Sequence, residues 1–260
     1  MTAGSLSLRI LGSGTSSGVP RIGNDWGRCD PTDPRNRRTR ASVLVASATT
    51  RILVDTSPDM REQLLAAGVA DFDAVIWTHD HADHCHGIDD LRQVIHARDG
   101  VPVRGLARPF TLDQLQQRFA YAFHGRAGYR PTVAAELLPD TLTIGDITIR
   151  VADQPHGGIT SAGLRFEHAG HAIGYATDFH DMTDAMRALY SGLDLWVVDA
   201  LRRAPHPTHP HLEAVLGWIA ALQPRRSALV HMDNSMDYAE LAASLPAGVE
   251  PGHDGLEFIV

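Results

Sequence analysis

Between Asp73 and Arg92 the chain reads DAVIWTHDHADHCHGIDDLR, and four side chains able to ligate a metal fall within six consecutive residues of it. Val75, Ile76 and Trp77 are a short apolar run with β-branched members, which predicts a strand buried in a parallel sheet flanked by helices. The ligands follow at its carboxyl end. His79, His81 and Asp83 alternate, so an extended chain turns their side chains to one side. His84 breaks the alternation and requires a turn, which Gly87 can supply. IDDLRQVIHA then has helical spacing, with Asp89 and Asp90 in a first turn where the helix dipole favours acids. Imidazole and carboxylate together suit zinc, manganese or iron. Four such groups, with more distant ligands added, are too many for one open ion, so two divalent ions are implied.

His-x-His-x-Asp-His after an apolar strand resembles the signature of the metallo-β-lactamase superfamily of hydrolases. The resemblance implies an α/β fold, the four-layer αββα sandwich, with His79 and His81 on one ion and Asp83 and His84 on the other. Asp83 then also counts among the catalytic residues.

With 260 residues and 43% hydrophobic composition the chain is long enough for one large domain, 1–260, and shows no second. A formal charge of −8 argues against stable binding to nucleic acid, although two divalent ions would cancel half of it. All 23 basic residues are arginine, and two cysteines, Cys29 and Cys85, cannot build a disulfide framework. The N-terminus lacks the basic start and apolar core of a signal peptide, and no run approaches a membrane span. A cytoplasmic protein without a membrane partner is expected.

Leu6 to Leu11 alternates as a strand and runs into GSGTSSGVP, Gly12 to Pro20. A nucleotide-binding reading of this loop is weak, because Pro20, Gly23 and Trp26 follow where a dinucleotide fold needs a helix; the plainer reading is a tight loop in which glycines permit positive φ. This loop and the following RIGNDWGRCDPTDPRNRRTRAS resemble the opening of one branch of the superfamily, the PhnP-like phosphodiesterases of the phosphoribosyl cyclic phosphate type. Arg35, Arg37, Arg38 and Arg40 offer forked cations to a phosphate, with Arg37 and Arg38 as the candidates for substrate binding; the alternative is a structural charge cluster. Ser42–Ala46 and Arg51–Val54 read as a hairpin ending at Asp55, and Met60–Ala67 as a helix stopped by Gly68. The resemblance implies that Asp55 holds a ligating histidine from behind. Residues 106–131 are expected to form a substrate-covering insert, because specificity rides on loops over a rigid scaffold. In it Tyr121, Phe123, His124, Arg126 and Tyr129 would line a ring pocket, unless the aromatics are core packing. Its exposed edge offers a homodimer contact.

Further strands are expected at Leu142–Ile144, Ile147–Val151, Leu164–Glu167, Ala172–Ala176, Leu193–Val198 and Ser227–Val230, with a helix at Leu212–Ala221. Four of these strands lead to His156, Asp178, Asp199 and His231. The resemblance makes His156 the third ligand of the first ion, His231 the last ligand of the second, and Asp178 the bridge; many true lactamases carry cysteine at that last place, which counts against antibiotic hydrolysis. In LRRAPHPTHPHLEAV it picks out His209 as a non-ligating histidine, which Asp199 would orient. The chain order assigns no role to His86, His180, His206, His211 or His253.

The implied chemistry is hydrolysis of a small-molecule phosphodiester, cyclic or nucleotide-like, by a hydroxide bridging two zinc or manganese ions (iron being also accepted), with His209 as general acid to the leaving oxygen. The competing classes are lactam, lactone or thioester hydrolysis on the same ions, a tRNA-end nuclease, for which the acidic balance and the lack of a basic arm are unsuited, and a non-catalytic metal or nucleotide binder.

Overall fold

Strands that are apolar on both faces need a core on each side, and this chain supplies three cores for two sheets. The computed structural model describes residues 4–260. Its first strands are β1 (Ser7–Gly12), β2 (Ser42–Ala46), β3 (Arg51–Val54), β4 (Ala74–Ile76), β5 (Val103–Ala107), β6 (Val133–Leu137) and β7 (Thr141–Ile144). They are followed by β8 (Ile147–His156), β9 (Ile159–His168), β10 (His171–Ala176), β11 (Leu195–Asp199), β12 (Arg226–Val230), β13 (Val249–Pro251) and β14 (Glu257–Ile259). One sheet has the order β14-β1-β2-β3-β4-β5-β6 and the other β13-β12-β11-β10-β9-β8-β7. Neighbours from β3 to β6, and from β10 to β13, are parallel.

Residue alternation assigns the layers. Ile52 and Val54 face the core between the sheets and Leu53 the outer one; Ala74 and Ile76 point inward, Val75 and Trp77 outward. In the second sheet Leu195 and Val197 join the shared core, Trp196 and Val198 the opposite one. Helices α1 (Met60–Ala67), α2 (Ala82–Cys85), α3 (Leu91–His96), α4 (Pro109–Arg118) and α5 (Ala120–His124) follow strands of the first sheet, and residues of α1, α3, α4 and α5 close its outer core. Helices α6 (Asp184–Leu189), α7 (Leu212–Leu222) and α8 (Tyr238–Ser244) do the same for the second. The result is the expected αββα sandwich.

Gly68 stops α1 in the left-handed conformation, at φ 66°, with its N–H on the carbonyls of Leu64 and Leu65. Gly87 serves differently from expectation. It does not make the turn, which the short helix α2 already provides by bringing His84 round; it is glycine because a Cβ would lie 2.0 Å from the Ser57 carbonyl oxygen. Asp89 and Asp90 fall in a 3₁₀ turn ahead of α3. Both cysteines are free and buried, and burial pushes the Cys85 thiol up to about 12, which makes it a packing group.

Residues 106–131 are not an insert over the site. They are the end of β5, helices α4 and α5, and a tight hairpin, together the crossover that a parallel β5–β6 pair requires. Leu112, Leu115 and Phe123 are spent on the outer core, with the Phe123 ring 6.2 Å from that of Trp77. Among the described residues, no helix is long and apolar enough to cross a membrane.

Candidate metal centre

The site residues lie at the carboxyl ends of strands: Asp55 after β3, His79 to His84 after β4, His156 closing β8, Asp178 after β10, Asp199 closing β11 and His231 after β12. Parallel neighbours put those ends along one edge. Asp55, Asp178 and His231 have φ of 64°, 55° and 57°, a region costly for side chains other than glycine, Asn and Asp. Each therefore turns back sharply where its strand stops, which aims the side chain across the edge.

Two groups of donors share one carboxylate. Oδ1 of Asp178 lies 3.8 Å from His79 Nε2 and 3.6 Å from His156 Nε2, and His156 Nε2 is 3.2 Å from His81 Nδ1. Its Oδ2 lies 3.1 Å from His84 Nε2 and 3.4 Å from His231 Nε2, while Asp83 Oδ2 is 3.3 and 3.5 Å from the same two nitrogens. Within each group, His79–His81–His156–Asp178 and Asp83–His84–His231, the donor atoms lie within 4.8 Å of one another. Nε2 of His79, His84 and His231 are buried without a hydrogen-bond partner. Buried polar atoms left unpaired cost free energy, and convergent imidazole and carboxylate donors are those that divalent ions accept. The residues fit two ions, and Asp178 faces both donor groups and would help to hold each.

Supporting groups hold the rings from behind. His84 Nδ1 is 2.8 Å from Asp55 Oδ2, and the Thr78 hydroxyl joins Asp55 to His79 Nδ1 at 3.1 Å. His156 Nδ1 donates to the Thr208 carbonyl at 3.0 Å. Such contacts leave the far nitrogen free for a metal. His209 is also close, and with Asp178, Asp199 and His231 forms a third tight group. Its Nδ1, however, is spent on Asp199 Oδ2 at 2.9 Å, and its ring stacks on His231 at 4.9 Å. Asp199 also accepts the backbone N–H of Asp178 at 3.1 Å, which joins the two acids.

The family model described as the beta-lactamase superfamily domain matches residues 50–232. This chain belongs to that superfamily. A crystal structure of a diphosphatase from the PhnP family has a TM-score of 0.90 to it at 34% identity, over 98% of this chain and 97% of that one, so the resemblance extends to the PhnP-like branch. A protein of Porphyromonas gingivalis (strain ATCC BAA-308 / W83) named octanoyltransferase is 32% identical over 257 residues, 96% of this chain and 51% of its own length. The chain thus spans about half of that relative. Zn(2+)-bound PqqB from Methylobacterium extorquens, at 20% identity and a TM-score of 0.75 over 97% and 99% of the two chains, shares the fold.

The superfamily motif is braced here from the crossover. Arg118, at the end of α4, donates Nη2 to Asp80 Oδ2 at 2.9 Å and Nη1 to the Asp80 carbonyl, and Asp80 stands between the candidate ligands His79 and His81. Neither Arg118 nor Asp80 is marked in the sequence. Arg118→Leu is expected to weaken metal binding by about 10–100-fold, the usual cost of losing a group that orients ligands, while Arg118→Lys recovers part of it. Competition with a coloured chelator measures this; equal affinities in wild type and Arg118→Leu would remove the bracing role.

Charge within the cluster is balanced among its own acids and imidazoles. Burial works against a charged His231, yet Asp178, Asp199 and Asp83 outweigh it and push the ring up to about 9. Burial likewise opposes charge on Asp178, but His231 and His84 hold it well below the carboxylate range. Burial and the His84 ring hold His79 neutral. A folded-state value raised from 6.5 to about 9 stabilises the metal-free fold fully below 6.5, and that contribution is lost as pH rises through 9. The metal-free chain is therefore expected to melt at lower temperature at pH 9 than at pH 6.5, and metal uptake at neutral pH to release protons. Melting curves of chelator-treated protein and pH-stat titration read the two effects; unchanged melting across that range would contradict this charge balance.

The substrate candidates separate. The cavity over the cluster has a volume of about 320 Å³, and Ser16, Gly157, Ile159 and Thr208 line it beside His81, Asp83, His156, Asp178, His209 and His231. Arg38 is not available to a phosphate: it is 1% exposed, with Nη2 on the Met236 carbonyl at 2.6 Å and on Asn36 Oδ1 at 3.2 Å, and Nη1 on the Asp233 carbonyl at 3.2 Å. Arg37 is exposed over the Trp26 ring, 5.4 Å from its centroid. Tyr129 lies in a different cavity, because its hairpin belongs to the crossover on the outer face. Ser16 was hidden in the sequence among the hydroxyls of the glycine-rich loop. Of the remaining histidines, His180 accepts the N–H of the lining residue Gly157 at 3.3 Å and His206 that of the lining residue Thr208 at 3.3 Å. His86 packs on Phe119 and His253 on Tyr238, and His211 precedes α7 without a capping bond.

Proposed function

We propose that the chain is a dinuclear metal-dependent phosphodiesterase acting on a compact phosphodiester, a cyclic phosphate or nucleotide-like diester. The observation that carries this reading is the Asp199–His209 pair, an oriented imidazole on the wall of the cavity that members of both donor groups line. Zinc or manganese suits the donors, with iron also accepted; the PqqB relative is described with zinc. Two such ions, when bound, supply Lewis acidity and a water that ionises near neutral pH.

The chain's own groups do the rest. Asp178 ties the two donor groups to one carboxylate and would help to hold both ions. With Nδ1 held by Asp199, His209 keeps its other ring nitrogen for the cavity it lines, where a departing alkoxide needs a proton. A 320 Å³ cavity has room for a small diester. The PhnP-family diphosphatase supports phosphorus chemistry. The octanoyltransferase name supports an acyl alternative on the same ions, a lactone or thioester, but belongs to a protein twice as long. We place the protein in the cytoplasm, with no nucleic-acid or membrane partner.

The test is hydrolysis of bis-p-nitrophenyl phosphate and a panel of cyclic phosphates, beside a thioester and a lactone, by protein reconstituted with zinc or manganese. Diester turnover requiring two ions per chain is expected; full loading with acyl turnover alone would transfer the assignment to acyl hydrolysis. His209→Ala is expected to keep both ions and lose about 10²–10⁴-fold with alkoxide leaving groups, and much less with p-nitrophenolate. Equal losses on both substrates would end the general-acid role.

A further inference from the structure

A second cavity, of about 830 Å³, shares no lining residue with the metal centre. It lies between α3 and the hairpin that follows α5. That volume is within the range of small-molecule sites, roughly 300–1,000 Å³. Its walls carry both signs of charge, with Asp89 and Asp90 on the α3 side and three arginines beside them. Arg92, Arg126 and Arg130 all line it, and none of the three has a carboxylate partner among the described residues.

The hairpin presents two of them in a defined way. Arg126 and Tyr129 exchange backbone hydrogen bonds of 3.1 and 2.9 Å across Ala127 and Gly128, both at positive φ, so the tip is a tight two-residue turn. Tyr129 is 66% exposed and its ring lies 4.8 Å from the Arg92 guanidinium. On the facing wall the Tyr121 hydroxyl donates to Asp89.

We propose that this cavity binds a nucleoside monophosphate. A carboxylate is satisfied by one guanidinium, whereas a phosphomonoester, carrying a charge of about −1.5 to −2 and three acceptor oxygens, can use several. Tyr129 and Tyr121 give a planar base two aromatic surfaces, and guanidinium planes stack on bases as well. Asp89 and Asp90 would repel a bare anion but accept hydrogen bonds from ribose hydroxyls or a base amine. The combination selects a ligand with an anionic end and a donor-bearing, planar end.

Calorimetric titration of the metal-loaded protein with 5′-AMP tests this, with adenosine and inorganic phosphate as the arms lacking one end or the other. Saturable AMP binding is expected, and each arm alone should bind more weakly. The double variant Arg126→Glu/Arg130→Glu should lose at least about tenfold in AMP affinity, as charge-assisted hydrogen bonds do, while its metal content and diester turnover stay at the wild-type level. The inference fails if no saturable binding occurs, if the double variant binds AMP as wild type does, or if a chelator abolishes the binding, which would assign it to the metal centre.

Discussion

Replacing Asp178 with alanine is expected to remove metal and more than about 1000-fold of turnover, or about 4 kcal/mol of transition-state stabilisation. Each of the other candidate ligands belongs to one of the two donor groups. Asp178 serves both, with Oδ1 toward His79 and His156 and Oδ2 toward His84 and His231. Its loss also leaves buried imidazoles facing one another with one fewer anion between them, so that either they shed protons or the edge opens. Asp178→Asn is the sharper comparison, because it keeps the volume and one acceptor but removes the charge. Metal analysis by mass spectrometry, beside turnover of a diester, reads both variants. If alanine at 178 still bound two equivalents at wild-type affinity, the shared carboxylate would have no part in holding them.

Arg38→Met should cost on the order of 3 kcal/mol of stability, since it leaves the buried carbonyls of Asp233 and Met236 and the Asn36 side chain without their donor. For a domain of this size that is a melting-point drop of roughly 6–12 °C. Burial lowers the Arg38 pKa, and the guanidinium stays in place through its hydrogen bonds. Because it fastens the loop that begins two residues beyond His231, some metal affinity should go with the stability. The Michaelis constant of the loaded enzyme should change little. A raised Michaelis constant at unchanged melting temperature would instead restore Arg38 as a substrate contact.

Much of the centre was legible before folding because strand alternation and strand ends leave marks in sequence. Val75 to Trp77, Leu195 to Val198 and Ala228 to Val230 are apolar on both faces, and each stops at a residue able to ligate or orient. The distant histidines were legible only through the superfamily resemblance, since a lone histidine after a strand has many structural uses. Arg37, Arg38 and Arg40 look alike in a row, yet one is exposed, one is fully enclosed, and Arg40 pairs with Asp59 at 2.9 Å. Nothing local distinguishes them.

The local sequence determined the periodicity of the strands, the stop at Gly68 and the donor types offered to metal. Local backbone sterics and side-chain chemistry suffice for these. Tertiary structure alone decided that Asp178 divides its oxygens between two groups, that Arg118 grips Asp80 from 38 residues away, and that the Tyr129 hairpin stands on another cavity. These are distances between segments remote in the chain. They are set by which faces two sheets bury against each other, and no short-range preference encodes them.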